Sequence, residues 1–214
     1  MPELILKLIL DFDRTLFDTR QFITAMEEIF KTYGSINVPI MASYDKYGNF
    51  IINNHLALVP TKAKRKKVKA HLRKLFDNAG KFIFQDAWDF LESIYQDNEL
   101  ILLTKGEIKY QRRKVYLALD DHANLFKKII IAEHSKTSHI KDIAGANPRH
   151  EIFFIDDKIA ELEAAKKILH QIHTVHVVRM NLPCKRSSDT FVPDFKVRSL
   201  TEILAIISPG KKYE

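Results

Sequence analysis

The stretch Leu8-Ile9-Leu10-Asp11-Phe12-Asp13 constrains this chain more than any other. An apolar run suited to a strand covered on both faces drives straight into two carboxylates set one residue apart, with Asp18 close behind. Like charges at the end of a buried element are costly unless something cationic sits between them. Similar apolar runs recur at 98–104, 127–133, 151–157 and 172–179, and a last one starts near Asp194. Most of them lead into a helical pattern, the clearest running from about Glu107 to Leu119. Strands alternating with helices predict right-handed βαβ units and an α/β fold with a doubly wound parallel sheet. Ligands of such sheets bind beyond the carboxyl ends of the strands.

Those strand ends hold the chemistry. The first run (4–12) ends in Asp11 and Asp13, the 98–104 run in Thr104 followed by Lys105, and the 151–157 run in Asp156 and Asp157. The segment after 127–133 offers Lys136. Two acidic clusters, a hydroxyl and a lysine converging on one sheet edge suit a divalent cation together with an anion. The formal charge of +7 also favours an anionic partner: a phosphorylated metabolite, a nucleic acid or an acidic surface. Charge alone does not choose among them.

With 214 residues and 46% hydrophobic content, the chain can bury one ordinary core and carry a smaller insert. Cys184 is the single cysteine, so no intrachain disulfide is possible, which fits a reducing compartment. The apolar amino terminus is short and runs into Asp11, which argues against a signal peptide or membrane span; the expected location is cytoplasmic. The alternation breaks between Arg20 and Lys81. Apolar residues at helical spacing (Phe22, Ile23, Met26, Ile29, Phe30) run up to Gly34, and "DKYGNF" reads as a turn. A cationic helix follows over 62–74, with Val68, Leu72, Leu75 and Phe76 as its apolar minority. The expected organisation is a core of 1–19 and 82–214 with a helical cap of 20–81.

These motifs carry a resemblance. "DFDRTLFDT" resembles the first motif of the haloacid dehalogenase (HAD) superfamily, and "LILLTKG" its second, a strand ending in Ser or Thr. Lys136 in "EHSKTSHI" is similar to the third-motif lysine, and "FFIDDKIAELEAA" to the fourth-motif acidic pair, with Glu161 one helical turn later. The motifs stand in the family's order over residues 8–165, and the 20–81 segment occupies a cap position of the family. The resemblance implies a Mg²⁺-dependent phosphatase acting on a small phosphorylated metabolite or nucleotide. It implies Asp11 as nucleophile and Asp13 as general acid/base. The Asp11 side chain, the Asp13 main-chain carbonyl, Asp157 and, in support, Asp156 would hold Mg²⁺, while Thr104, Lys105 and Lys136 would bind phosphate. An aspartate at position 13 points to phosphoester chemistry, because branches cleaving carbon–halogen or carbon–phosphorus bonds generally lack it.

The chemistry needs these residue types. A carboxylate nucleophile divides a slow phosphoester hydrolysis into two easier displacements, and a hard cation cancels its repulsion with the substrate. A second carboxylate can protonate the leaving alcohol and later deprotonate water, while a hydroxyl and a lysine hold the transferring oxygens. Arg14 stands where the family often has Gly, and either faces phosphate or points into solvent. Lys141 rivals Lys136 as the phosphate lysine. Asp18 reads as a helix N-cap, and Cys184 as an ordinary loop thiol. His170, His173 and His176 cross a helix-to-strand junction, so their rings would not share a face for zinc. Runner-up functions are a phosphotransferase or phosphomutase on the same chemistry, and a nucleic-acid binder using the basic helix 62–74. Oligomeric state is open.

Overall fold

The computed structural model describes residues 6–145, 151–179 and 191–207. Six strands make one sheet in the order β3-β2-β1-β4-β5-β6, every pairing parallel. They are β1 (Leu6–Leu10), β2 (Glu99–Lys105), β3 (Lys128–Ala132), β4 (Glu151–Asp156), β5 (His173–Val177) and β6 (Phe195–Val197). The central position of β1 explains its near-continuous apolar content: neighbours hold both edges and helices cover both faces. Its one polar residue, Lys7, donates from Nζ to the Ile143 carbonyl at 2.7 Å and so keeps a partner in the interior.

The two-residue period divides the strands between two cores. Leu8, Leu10, Leu100, Leu102, Phe153 and Ile155 face one apolar cluster, and Ile9, Ile101, Leu103, Ile152 and Phe154 face the other. The second cluster packs on α6 (Thr137–Ala144) and α7 (Ile159–Ile168). The first packs on α4 (Gln85–Ile94), α5 (Ile108–Leu119) and α8 (Glu202–Ile207). The same cluster takes in the helices of the 20–81 region: α1 (Thr19–Ile29) through Phe22 and Met26, α2 (Ile52–Ala57) through Leu56, and α3 (Lys62–Asp77) through Val68, Leu72, Leu75 and Phe76. Those four apolar residues are the buried face of α3, while Lys62, Lys66, Lys67, Lys69, Arg73 and Lys74 are left in solvent. Asp18 caps α1, accepting from the Gln21 amide at 2.9 Å. "DKYGNF" turns as expected, with Tyr44 bridged to Phe50 and Gly48 at φ +79°. Cys184 lies outside the described residues. No helix among the described residues is long and apolar enough to cross a membrane.

A clamp absent from any sequence pattern ties the loop after β1 to the far end of the chain. Arg179 donates from Nε and Nη2 to the Thr15 carbonyl, at 3.1 and 2.8 Å, and from Nη1 to Asp86 at the start of α4. Its guanidinium lies 4.2 Å over the Phe84 ring. The same Asp86 oxygen accepts from Ser199 Oγ at 2.9 Å and the Leu200 amide at 2.8 Å, just ahead of α8. Burial opposes ionisation of Asp86, but Arg179 and the other donors win and hold the carboxyl below its usual value. A depressed carboxyl stabilises the fold above its unfolded pKa and loses that contribution as pH falls through the folded value. Asp86→Asn is therefore expected to cost about 1.5–3 kcal/mol at pH 7. Calorimetric melts should show the gap from wild type narrowing below about pH 4; a gap independent of pH would mean that the charge is not what binds the clamp.

Candidate active site

At the carboxyl end of the sheet, β1 and β4 bring three carboxylates together. The Asp11 amide donates to the Ile155 carbonyl at 2.9 Å, which extends the β1–β4 ladder by one residue and sets Asp11 beside the end of β4. One oxygen each from Asp11, Asp156 and Asp157 falls within a 4.8 Å sphere of mutual distances. Lys136, at the cap of α6 and 1% exposed, donates from Nζ to Asp11 Oδ1 at 2.5 Å and to Asp156 Oδ2 at 2.6 Å. Asp156 Oδ1 accepts from the Lys158 amide at 2.8 Å. Arg14 Nε lies 3.0 Å from Asp157 Oδ2.

Local packing explains the turn that carries Asp11 and Asp13. Phe12 and Phe17 stack at 4.9 Å in the core, while the Leu16 and Phe17 amides both donate to the Phe12 carbonyl at 3.0 Å. Arg14 closes the turn with φ +62°, the left-handed region where a glycine is the least strained residue. Arg14 instead places a guanidinium on the acidic cluster, with its side chain 43% exposed.

One lysine does not neutralise three carboxylates. Burial pushes the Asp11 carboxyl up to about 7, with Lys136 opposing and Asp156 and Asp157 adding to the rise. Burial and then Asp156 push Asp157 up to about 6, against Arg14 and Lys158. Lys158 is itself held charged: burial works against its ammonium, but the three carboxylates raise it. Asp11 Oδ2 is buried with no hydrogen-bond partner. An orphaned carboxylate oxygen facing two further carboxylates is a donor set that suits a hard divalent cation.

Asp13 sits in a different environment. Its Oδ1 accepts from Lys114 Nζ and Thr19 Oγ1, both at 2.5 Å, and its Oδ2 from Gln111 Nε2 at 2.6 Å. Burial again favours the neutral form, but Lys114 and these donors overcome it and draw the carboxyl down to about 2. The Asp13 side chain is thus engaged by Lys114, Thr19 and Gln111 and is not part of the three-carboxylate cluster. Thr104, fully buried at the end of β2, accepts from the same Gln111 Nε2 at 2.8 Å.

Lys105 does not join this group. Its Nζ reaches the Tyr47 carbonyl at 3.3 Å, in the turn of the 20–81 segment. Lys141 is exposed in the last turn of α6, while Lys136 occupies the cluster. Glu161 stands in the first turn of α7, and among the described residues only Asp11, Asp156 and Asp157 form a metal-capable group. His170 is exposed, His173 pairs with Glu151 at 3.0 Å, and His176 contacts the Asp157 carbonyl at 3.1 Å; they serve different neighbours.

Sequence reading passes over Gln111, Lys114, Lys158 and Tyr44. The first two were detectable as an anomaly, because they occupy the helical face of α5 that Val115, Ala118 and Leu119 bury. Burial and the charge of Asp13 push the Tyr44 hydroxyl up, and the 20–81 segment reaches the sheet edge where Lys105 Nζ donates to the Tyr47 carbonyl and Asn49 Nδ2 to the Glu133 carbonyl.

No family model matches the chain, and no curated protein matches it. Solved structures do. A presumed haloacid dehalogenase-like hydrolase of Burkholderia xenovorans LB400 superposes with a TM-score of 0.72 at 16% identity, covering 95% of this chain and 97% of that one. A presumed HAD hydrolase of Bacillus subtilis bound to magnesium gives 0.65 at 14% identity, covering 96% and 100%. The L-2-haloacid dehalogenase of Xanthobacter autotrophicus gives 0.63 at 14% identity, covering 97% and 100%. The chain has the haloacid dehalogenase-like fold: a six-stranded parallel α/β sheet with flanking helices.

A carboxyl raised in the fold binds its proton more tightly folded than unfolded, so stability falls as pH climbs from about 4 towards 7. Asp11→Asn keeps an acceptor for Lys136 and removes that charge. Without divalent cations, its thermal midpoint is expected to exceed that of wild type at pH 8, by the equivalent of about 1–2 kcal/mol, and to converge with it below about pH 4. A variant less stable than wild type at pH 8 would contradict the charge crowding described here.

Proposed function

We propose that this chain, built on the haloacid dehalogenase-like fold, is a Mg²⁺-dependent phosphomonoester hydrolase. The observation that carries the reading is Asp11: buried, with Oδ2 orphaned, between a lysine and two further carboxylates, and followed two residues later by a separately held Asp13. Asp11, the Asp13 carbonyl and Asp157 would hold the cation, with Asp156 in support. Bound there, Mg²⁺ cancels the repulsion between carboxylate and phosphate and polarises the transferring group. The magnesium-bound relative supports that choice of ion.

In this reading Asp11 Oδ2 attacks phosphorus, forming an aspartyl-phosphate as the ester P–O bond breaks. Lys136 and the Thr104 hydroxyl hold the equatorial oxygens. Asp13 gives a proton to the leaving alkoxide, then takes one from the water that attacks phosphorus and frees inorganic phosphate and Asp11. Asp13 rests ionised, so the first proton arrives with the substrate, whose monoanion carries one to hand over. The 20–81 segment serves as a cap over this edge, with Lys105 pinning its turn rather than gripping phosphate. The substrate class is a small phosphorylated metabolite or nucleotide, drawn by a field that the lysines of α3 strengthen.

Phosphate release from p-nitrophenyl phosphate with Mg²⁺ tests the reading. Activity should vanish with chelator and fall more than about 10³-fold in Asp11→Asn. Wild-type protein that is inert across a broad ester panel yet binds RNA tightly at low salt would instead assign the function to α3. A separate measurement concerns Arg14. Arg14→Gly removes one competing cation from Asp157 and relieves the left-handed turn, so calorimetric titration should give Mg²⁺ binding about fivefold tighter, the scale of a partly exposed ion pair. Unchanged affinity would remove Asp157 from the ligand set.

A further inference from the structure

Gln111 and Lys114 lie three residues apart on α5, both buried, and both reach a residue assigned to the chemistry. Buried polar groups of this size are rare without a task that requires them. Lys114 lies 5.6 Å from the centres of the Phe12, Phe17 and Tyr110 rings, so its ammonium is oriented by an aromatic cage and spent on Asp13 alone.

The orientation of the Gln111 amide follows from its neighbours. An ionised Asp13 is acceptor-only, so the atom facing it must be the NH₂ group and not the amide oxygen. That group has two hydrogens: one goes to Asp13 Oδ2 at 2.6 Å, the other to Thr104 Oγ1 at 2.8 Å. Thr104 therefore receives a hydrogen bond, so its own proton is directed away from Gln111 and is left to donate to another acceptor. Gly106 keeps the space for this arrangement, since a Cβ there would meet Gln111 Cβ and Oε1 at 3.1 Å.

We infer that Gln111 and Lys114 are positioning residues on one surface of α5 which, together with Thr19 of α1, hold the rotamer of the Asp13 carboxylate, and that Gln111 also sets the donor direction of the Thr104 hydroxyl. The inference rests on the phosphatase reading, and it deepens that reading by making the acid/base and the phosphate-holding hydroxyl one coupled unit. A helix that moved would disturb both at once.

The experiment compares kcat/KM for p-nitrophenyl phosphate with that for an alkyl phosphate, because kcat/KM reports the first phosphoryl transfer. An alkoxide leaves poorly without a proton, whereas nitrophenolate needs little help. Lys114→Met, which can pack among the three rings, should lose at least about tenfold more with the alkyl ester than with the aryl ester. In an Asp13→Asn background the same change should cost less than about threefold. Gln111→Met should likewise lose activity alone but add little to Thr104→Val. Gly106→Ala, which keeps all four residues but forces the Gln111 side chain to shift by a few tenths of an ångström, should lower activity in the same direction as Gln111→Met and keeps the inference testable should Lys114→Met fail to fold. Equal losses on both esters, full additivity in the double variants, or unchanged rates in an active enzyme would overturn the positioning role alone. A wild type inert on both esters would overturn the phosphatase reading and this inference with it.

Discussion

Lys136 solves the problem set by three carboxylates at one sheet edge. Its single ammonium bonds Asp11 at the end of β1 and Asp156 at the end of β4, and so ties two strand ends to the loop after β3. A buried pair of this kind is weak evidence for stability, because desolvation offsets most of the attraction. Its value is positional. The ammonium occupies one side of Asp11 and leaves Oδ2 with no protein donor, so the carboxylate is held without being used up.

Two aspartates one residue apart then come to opposite states. Asp11 continues the strand into the interior, where neighbouring carboxylates and burial push its carboxyl up to about 7. Asp13, past the Phe12 anchor, turns to a helix that offers an ammonium and an amide, and drops to about 2. Phe12 makes this separation possible, because its ring is locked against Phe17 and fixes the direction in which each carboxylate leaves the chain. Paired groups whose environments drive them apart are what an acid/base division of labour needs.

The 20–81 segment has a double allegiance. Its apolar residues run continuously with one face of the sheet, Phe22 and Phe76 packing edge to face and Phe22 meeting Phe17 and Phe82 at the segment's borders. Its polar loop meets the carboxyl end of the sheet through the Tyr47 carbonyl, which accepts from Lys105, and through Asn49, which donates to the Glu133 carbonyl. Shared packing makes the segment sensitive to the same core as the site, while the lysines of α3 stay in water.

The near-continuous apolar runs determined the strands, because a strand covered on both faces admits few other residues, and the run ends pointed to Asp11, Thr104, Asp156 and Asp157, which the fold brings to one edge of the sheet. The lysine on the cluster was legible for a related reason: Lys136 lies nearer the end of β3, at the cap of α6, while Lys141 is more than a helical turn further on. Three-dimensional packing decided the rest. Lys105 turned away because the 43–50 loop offers a carbonyl that lies far from it along the chain. Gln111 and Lys114 became partners of Asp13 across 98 and 101 residues, and Arg179 reached Thr15 across 164. No local pattern encodes such contacts, because their energy exists only once distant surfaces have excluded water from between them.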